Sequence, residues 1–158
     1  MSHLTRSVAL IAGLLITPLA APSSAGAAGV PEDACTFLTP ADYKAFGVTA
    51  TPKGRLANTP AQTGHACTAG SLMAKPMLSL IVQEIKMPMA VEMGRKALAG
   101  IGEPLTGPWD AGHVHSGVDG TQVRFFKGSV SVQLTTSASD AAAKVALIAI
   151  AKRIGAAL

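Results

Sequence analysis

Apolar and polar residues alternate from Gly112 to Thr136, broken mainly at Asp119-Gly120 and Lys127-Gly128. Alternation puts successive side chains on opposite faces of a strand, and a Gly-containing dipeptide between two such runs marks a tight hairpin. The stretch therefore reads as three antiparallel strands. With the turns centred on those dipeptides, Val114 faces Phe125, Ser116 faces Val123, Phe125 faces Val130 and Val123 faces Val132. Val114, Val118, Val123, Phe125, Val130, Val132 and Leu134 then share one face, and His113, His115, Gln122, Arg124, Ser129, Ser131 and Gln133 share the other. A slip of one residue would turn every side chain over, so the two faces are strongly specified. Asp119-Gly120 suits a primed turn, whereas Lys127-Gly128 suits it less because it would hold Lys127 at positive φ.

The remaining elements are read against this meander. Thr39 is placed to cap a short helix with Pro40 in its first turn, Asp42 reaching back to the cap and Gly47 as its left-handed stop. From Val48 to Gly64 the Pro, Gly and Asn spacing leaves no periodicity, which predicts a long loop with a short edge strand near Val48 to Thr51. Cys67 to Met73 and Met77 to Lys86 read as two strands, the second apolar on both faces and hence central. Pro88 opens a helix to about Ala99, with Met89, Ala90, Met93 and Ala97 as the apolar arc that faces the sheet. Ser137 or Ser139 caps a last helix carrying the stripe Leu147, Ile150, Ile154 and Leu158. Runs of neighbouring strands with short turns imply an α+β class: a single antiparallel sheet of about five strands with helices packed on one face.

Arg6 without acids, an apolar run from Val8 to Ile16 and the small residues Ala25-Gly26-Ala27 have the pattern of a secretory signal peptide. The run is too short to span a bilayer, so residues 1–27 are expected to be removed, leaving 28–158 as a single secreted or periplasmic domain without a stable membrane anchor. Export places Cys35 and Cys67 where disulfides persist, and a bond between them would contribute about 3 to 4 kcal/mol in the chain-entropy model. Without Arg6 the 13 Lys and Arg fall to 12 against 9 acidic residues, and they are scattered. That is no electrostatic footprint for nucleic acid, so none is expected as a partner.

Several of these features together resemble a family. Ala34-Cys35-Thr36-Phe37-Leu38-Thr39, the Gly47 stop, the strand opened by Cys67, Ile101-Gly102-Glu103 before the last strands and the terminal Ala-rich helix are similar to small exported bacterial domains of unknown function. Many of those are actinobacterial lipoproteins, and some have a PsbP-like fold. The resemblance implies a curved antiparallel sheet flanked by helices and no catalytic residues. This chain departs from it in lacking a lipobox and in having Leu105 where a small residue is usual.

No G-x-S-x-G, H-E-x-x-H or phosphate-cradling loop occurs, nor paired carboxylates, so the chain reads as a non-catalytic binding or interaction module of the cell envelope with no cofactor. Its expected partner is an envelope protein or a small ligand. Phe126 is the one large apolar side chain on the polar face of the meander. With Arg124, His113, His115 and Trp109 from the preceding loop it is a candidate recognition patch, since aromatic and Arg side chains are what interfaces favour. His113 and His115 have a spacing that suits a metal, but Arg124 is expected beside His115 and opposes a second cation. The alternative function is copper binding by Met87, Met89 and Met93, because thioethers select Cu(I). Against it, Met89 and Met93 stand where the helix is expected to face the sheet.

Overall fold

The computed structural model describes residues 30–158 except Ala57, Leu72 and Ala74. The expected signal peptide at 1–27 lies outside these residues. Seven strands form one antiparallel sheet: β1 (Lys53–Leu56), β2 (Gln62–Gly70), β3 (Met77–Ile85), β4 (Glu103–Pro104), β5 (Ala111–Gly117), β6 (Gly120–Lys127) and β7 (Val130–Thr136). Their spatial order is β1-β2-β3-β7-β6-β5-β4. The β2–β3 hairpin joins the β5–β7 meander through pairing of β3 with β7, with Leu80 opposite Leu134. As the apolar run at Leu78, Leu80 and Val82 implied, β3 is central and these three side chains are fully buried.

The expected count of about five strands omits the two edges, β1 and β4. Every residue of both is exposed, so neither needs the apolar alternation that betrays a half-buried strand. Pro104 is tolerated because β4 pairs on one side alone. The edge strand expected at Val48 to Thr51 falls instead at Lys53–Leu56, and β2 begins at Gln62, within the stretch expected to be loop.

The two faces of the meander are as the alternation implied, but the cross-strand partners are displaced by two residues. Val114 pairs with Val123, and Phe125 lies between Gly112 and Val132. The turns explain the displacement. In the first hairpin Val118 and Asp119 take the corner, no non-glycine residue has positive φ, and Gly120 at φ 126° follows. A Cβ on Gly120 would lie 2.0 Å from the Thr136 carbonyl oxygen, so a glycine is required there. In the second, Gly128 at φ 57° takes the first corner position and Ser129 the second, which leaves Lys127 in the strand opposite Val130. An even displacement preserves both faces. Val118 is the exception: it moves from the apolar face to the turn and is 91 % exposed.

Helix α3 (Ala141–Ala157) covers the apolar face, where Leu147, Ile150 and Ile154 join Val123, Phe125, Val132 and Leu134 in the main core. Its cap is Asp140, whose carboxylate accepts from the Ala143 N–H at 2.8 Å. Ser137, one of the two expected caps, is buried and its hydroxyl accepts from the Met77 backbone N–H at 3.0 Å. Helix α1 (Pro40–Ala45) has the expected capping box between Thr39 and Asp42. Arg153 of α3 pairs with the same Asp42 and donates to the Phe37 carbonyl, tying the two helices together. Cys35 and Cys67 are disulfide-bonded, with Cα atoms 4.9 Å apart. The Tyr43 hydroxyl lies 3.5 Å from Cys67 Sγ, and burial, with the Asp42 and Asp33 charges adding, pushes its pKa up.

Helix α2 (Pro88–Leu98) lies on the opposite face of the sheet, so the helices flank both faces and not one. It carries two candidate apolar arcs. The arc at Val91 and Leu98 is the buried one, packed with Phe126 and half-buried Ile85, and Gly94 sits so close that a Cβ there would be 2.5 Å from Phe126 Cζ. Phe126 requires a cover, and a glycine between two branched aliphatics lets the helix approach it. The expected arc turns outward: Met89 and Met93 are 77 % and 66 % exposed.

Candidate functional site

Strand alternation and pairing build a polar surface under α2. His113 pairs with Arg124, Arg124 with Gln133, and Phe126 with Ser131, so these side chains form two rows on the face away from α3. Gln83 of β3 extends the second row, opposite Ser131. α2 touches this surface along the strip made by Phe126 and Ile85, and a cleft opens on either side of the strip.

The larger cleft, about 360 Å³, lies by the first turns of α2 and includes Ile85, Lys86, Pro88, Val91, Arg95 and Ser129. Its guanidinium is engaged through both terminal nitrogens, although its Nε, like that of Arg124, is buried without a partner. Arg95 donates to Glu92 at 3.2 Å, to Asp110 at 2.6 Å and to the Gly128 carbonyl at 2.8 Å. The smaller cleft, about 240 Å³, lies under the second half of α2, with Leu98 and Ile101 on the helix side and Arg124, Phe126, Ser131 and Gln133 on the sheet side. No carboxylate pairs with Arg124 among the described residues. Its Nε is shielded from water and has no hydrogen-bond partner, and neither has Nδ1 of the neighbouring His113. A buried donor left unpaired costs about 1–3 kcal/mol, more for a charged group. Such groups are uncommon in folded proteins and call for a reason.

Of the residues read as a recognition patch, Arg124, Phe126 and His113 are brought together, but under a helix. Phe126 is 5 % exposed and so cannot be a residue of an open, shallow patch. His115 is exposed and pairs with Gln122. Arg124 therefore stands beside His113, a consequence of the two-residue displacement of the hairpin. Trp109 is on the other side of the sheet, stacked on Phe125 with ring centroids 4.5 Å apart, its indole N–H donating to the Leu105 carbonyl at 2.9 Å. It is held among Gly107, Gly112 and Gly155, where a Cβ would come within 2.9 Å of the ring in each case. Ser131 and Gln133 were visible as members of the polar face. Gln83, Leu98 and Ile101 carry no local signal of a site, because they reach the cleft through pairing and helix docking.

Met87 is 52 % exposed, which together with outward-facing Met89 and Met93 puts three thioethers in solvent around the start of α2. Among the described residues no three His, Cys, Asp or Glu side chains come together as a metal-binding group. No helix among them is long and apolar enough to cross a membrane. The Cys35–Cys67 bond is consistent with an extracellular or periplasmic location. Comparison with protein-family models, curated proteins and solved structures found no match for this chain.

Proposed function

We propose that the protein is an exported, non-catalytic module of the cell envelope that holds a small ligand in the cleft beneath the second half of α2. The observation that carries this reading is Arg124: a guanidinium with no carboxylate partner among the described residues, lining a cleft with an aromatic floor. Small-molecule sites combine apolar walls with placed polar groups, and this cleft sets Phe126, Leu98 and Ile101 beside Gln83, Arg124, Ser131 and Gln133. The disulfide supports the exported location. Amide chemical-shift mapping of the ¹⁵N-labelled protein against a set of small polar and amphipathic compounds tests the reading. Binding should move the amides of Ala97, Arg124, Ser131 and Gln133, and Ser131→Phe, which fills the cleft, should abolish those shifts. Compounds that bind elsewhere and are indifferent to Ser131→Phe would overturn it.

The exposure of Met87, Met89 and Met93 favours a second reading, binding of Cu(I) by thioethers. Met89 and Met93 stand one turn apart, and side chains at that spacing are neighbours. Anaerobic titration with Cu(I) should give a stoichiometric complex that is lost when all three methionines are replaced by leucine. A complex that survives the replacement would exclude these ligands.

A further inference from the structure

We infer that the cleft beneath α2 selects a small organic monoanion, with a carboxylate against Arg124 and a short apolar body against Phe126, Leu98 and Ile101. This rests on the cleft being the ligand site and adds what that ligand must be.

Three properties of the cleft point the same way. The first is its charge. Among the described residues Arg124 is the one ionisable side chain in its lining, and the polar remainder is Gln83, Ser131 and Gln133. The cleft therefore carries a cation with no acid among its described lining residues to neutralise it. A cation beside a low-dielectric wall favours an anion over a neutral ligand, and disfavours a second cation. The larger cleft offers no such preference, because its lining sets Glu84 and Glu92 against Lys86 and Arg95, and Arg95 is already shared among Glu92, Asp110 and the Gly128 carbonyl.

The second property is the number of cations. One guanidinium balances one negative charge, so a phosphate dianion would leave charge buried without compensation. A carboxylate presents two oxygens in a plane, which match paired guanidinium N–H groups in a fork. The neighbouring amides and hydroxyl can complete its remaining hydrogen bonds.

Size is the third. A water molecule takes about 30 Å³ of liquid, so a cleft of about 240 Å³ holds about eight non-hydrogen atoms. A six-carbon carboxylate has that number. Its chain would rest mainly against Ile101, which is 40 % exposed, and touch only the edges that Phe126 and Leu98 leave open to the cleft.

The test compares three probes of equal length, hexanoate, 1-hexanol and hexylammonium, by amide chemical-shift titration of the folded chain. Hexanoate should bind at the Ala97, Arg124 and Gln133 amides about tenfold or more tightly than hexanol, the difference expected of a charge-assisted hydrogen bond, and hexylammonium should not bind there. Arg124→Gln should bring hexanoate down to the level of hexanol, and Arg124→Lys should restore part of the difference. Equal binding of hexanoate and hexanol to the unaltered chain would overturn the anion assignment while leaving the cleft as a ligand site. If none of the three moves the cleft amides, both the assignment and the ligand-site reading fall. Should Arg124→Gln fail to fold, the comparison of the three probes on the unaltered chain decides alone.

Discussion

Replacing Phe126 with alanine distinguishes a buried support from an exposed contact residue, and the structure sets the size of the effect. Phe126 is 5 % exposed and packs with Val91, Leu98 and half-buried Ile85. Transfer of such a side chain from water contributes about 1.5–3 kcal/mol, and truncation of buried Phe to Ala costs about 3–5 kcal/mol once the cavity is included. This cluster is small and borders a cleft, so α2 can settle into part of the vacated space. The lower end, about 3 kcal/mol, is therefore expected. For a domain of this size 1 kcal/mol moves Tm by about 3–4 °C, which gives a fall of about 10 °C. Urea unfolding should show a lower midpoint with an unchanged slope. Hydrogen exchange should localise the change, with amides of Arg95 to Leu98 losing more protection than those of Leu147 to Ile150. A Tm within about 2 °C of the unaltered protein, with α2 protection intact, would show that Phe126 does not hold the helix to the sheet.

Two further substitutions test the packing and the electrostatics elsewhere. Gly155→Ala puts a Cβ 2.9 Å from Trp109 Cε3 and 3.2 Å from Pro108 Cγ, so overpacking should cost about 1–3 kcal/mol and alter the fluorescence of the single tryptophan; unchanged emission and stability would refute the close contact. Tyr43 has its pKa raised above the ordinary 10.0, first by burial and then by Asp42 and Asp33, so its neutral form is favoured in the fold. Its contribution to stability is full below the ordinary value and is lost as pH rises through that value towards the raised one. Tyr43→Phe should flatten that part of the decline in urea midpoint above about pH 9, and an unaltered alkaline curve would count against the shift.

What the chain determines locally and what it leaves to assembly divide along physical lines. The capping box at Thr39 and Asp42, the left-handed Gly47 and the α3 stripe are governed by groups within a few residues of one another, and each is found where its local chemistry puts it. The two faces of the meander are equally legible, because the period of two survives any even shift. Pairing within that period depends on which residue takes positive φ at each turn, and Gly128 decides the second hairpin once Lys127 is kept in the strand. Strands β1 and β4 left no pattern because an exposed edge buries nothing.

The site belongs to assembly. Arg124, Ser131 and Gln133 were readable as polar-face residues, but nothing local says that a helix covers them. α2 carries two apolar arcs, and which of them is buried depends on the surface it meets. Phe126 supplies an apolar strip on an otherwise polar face, Gly94 allows close approach, and Val91 and Leu98 complete the contact. That choice turns Met89 and Met93 outward, separates Arg124 and Phe126 from Trp109 on the far side of the sheet, and leaves the Arg124 guanidinium at a cleft with no carboxylate partner among the described residues. Sequence periodicity measures how apolar a face is, whereas tertiary packing decides which of two such faces finds a complementary surface.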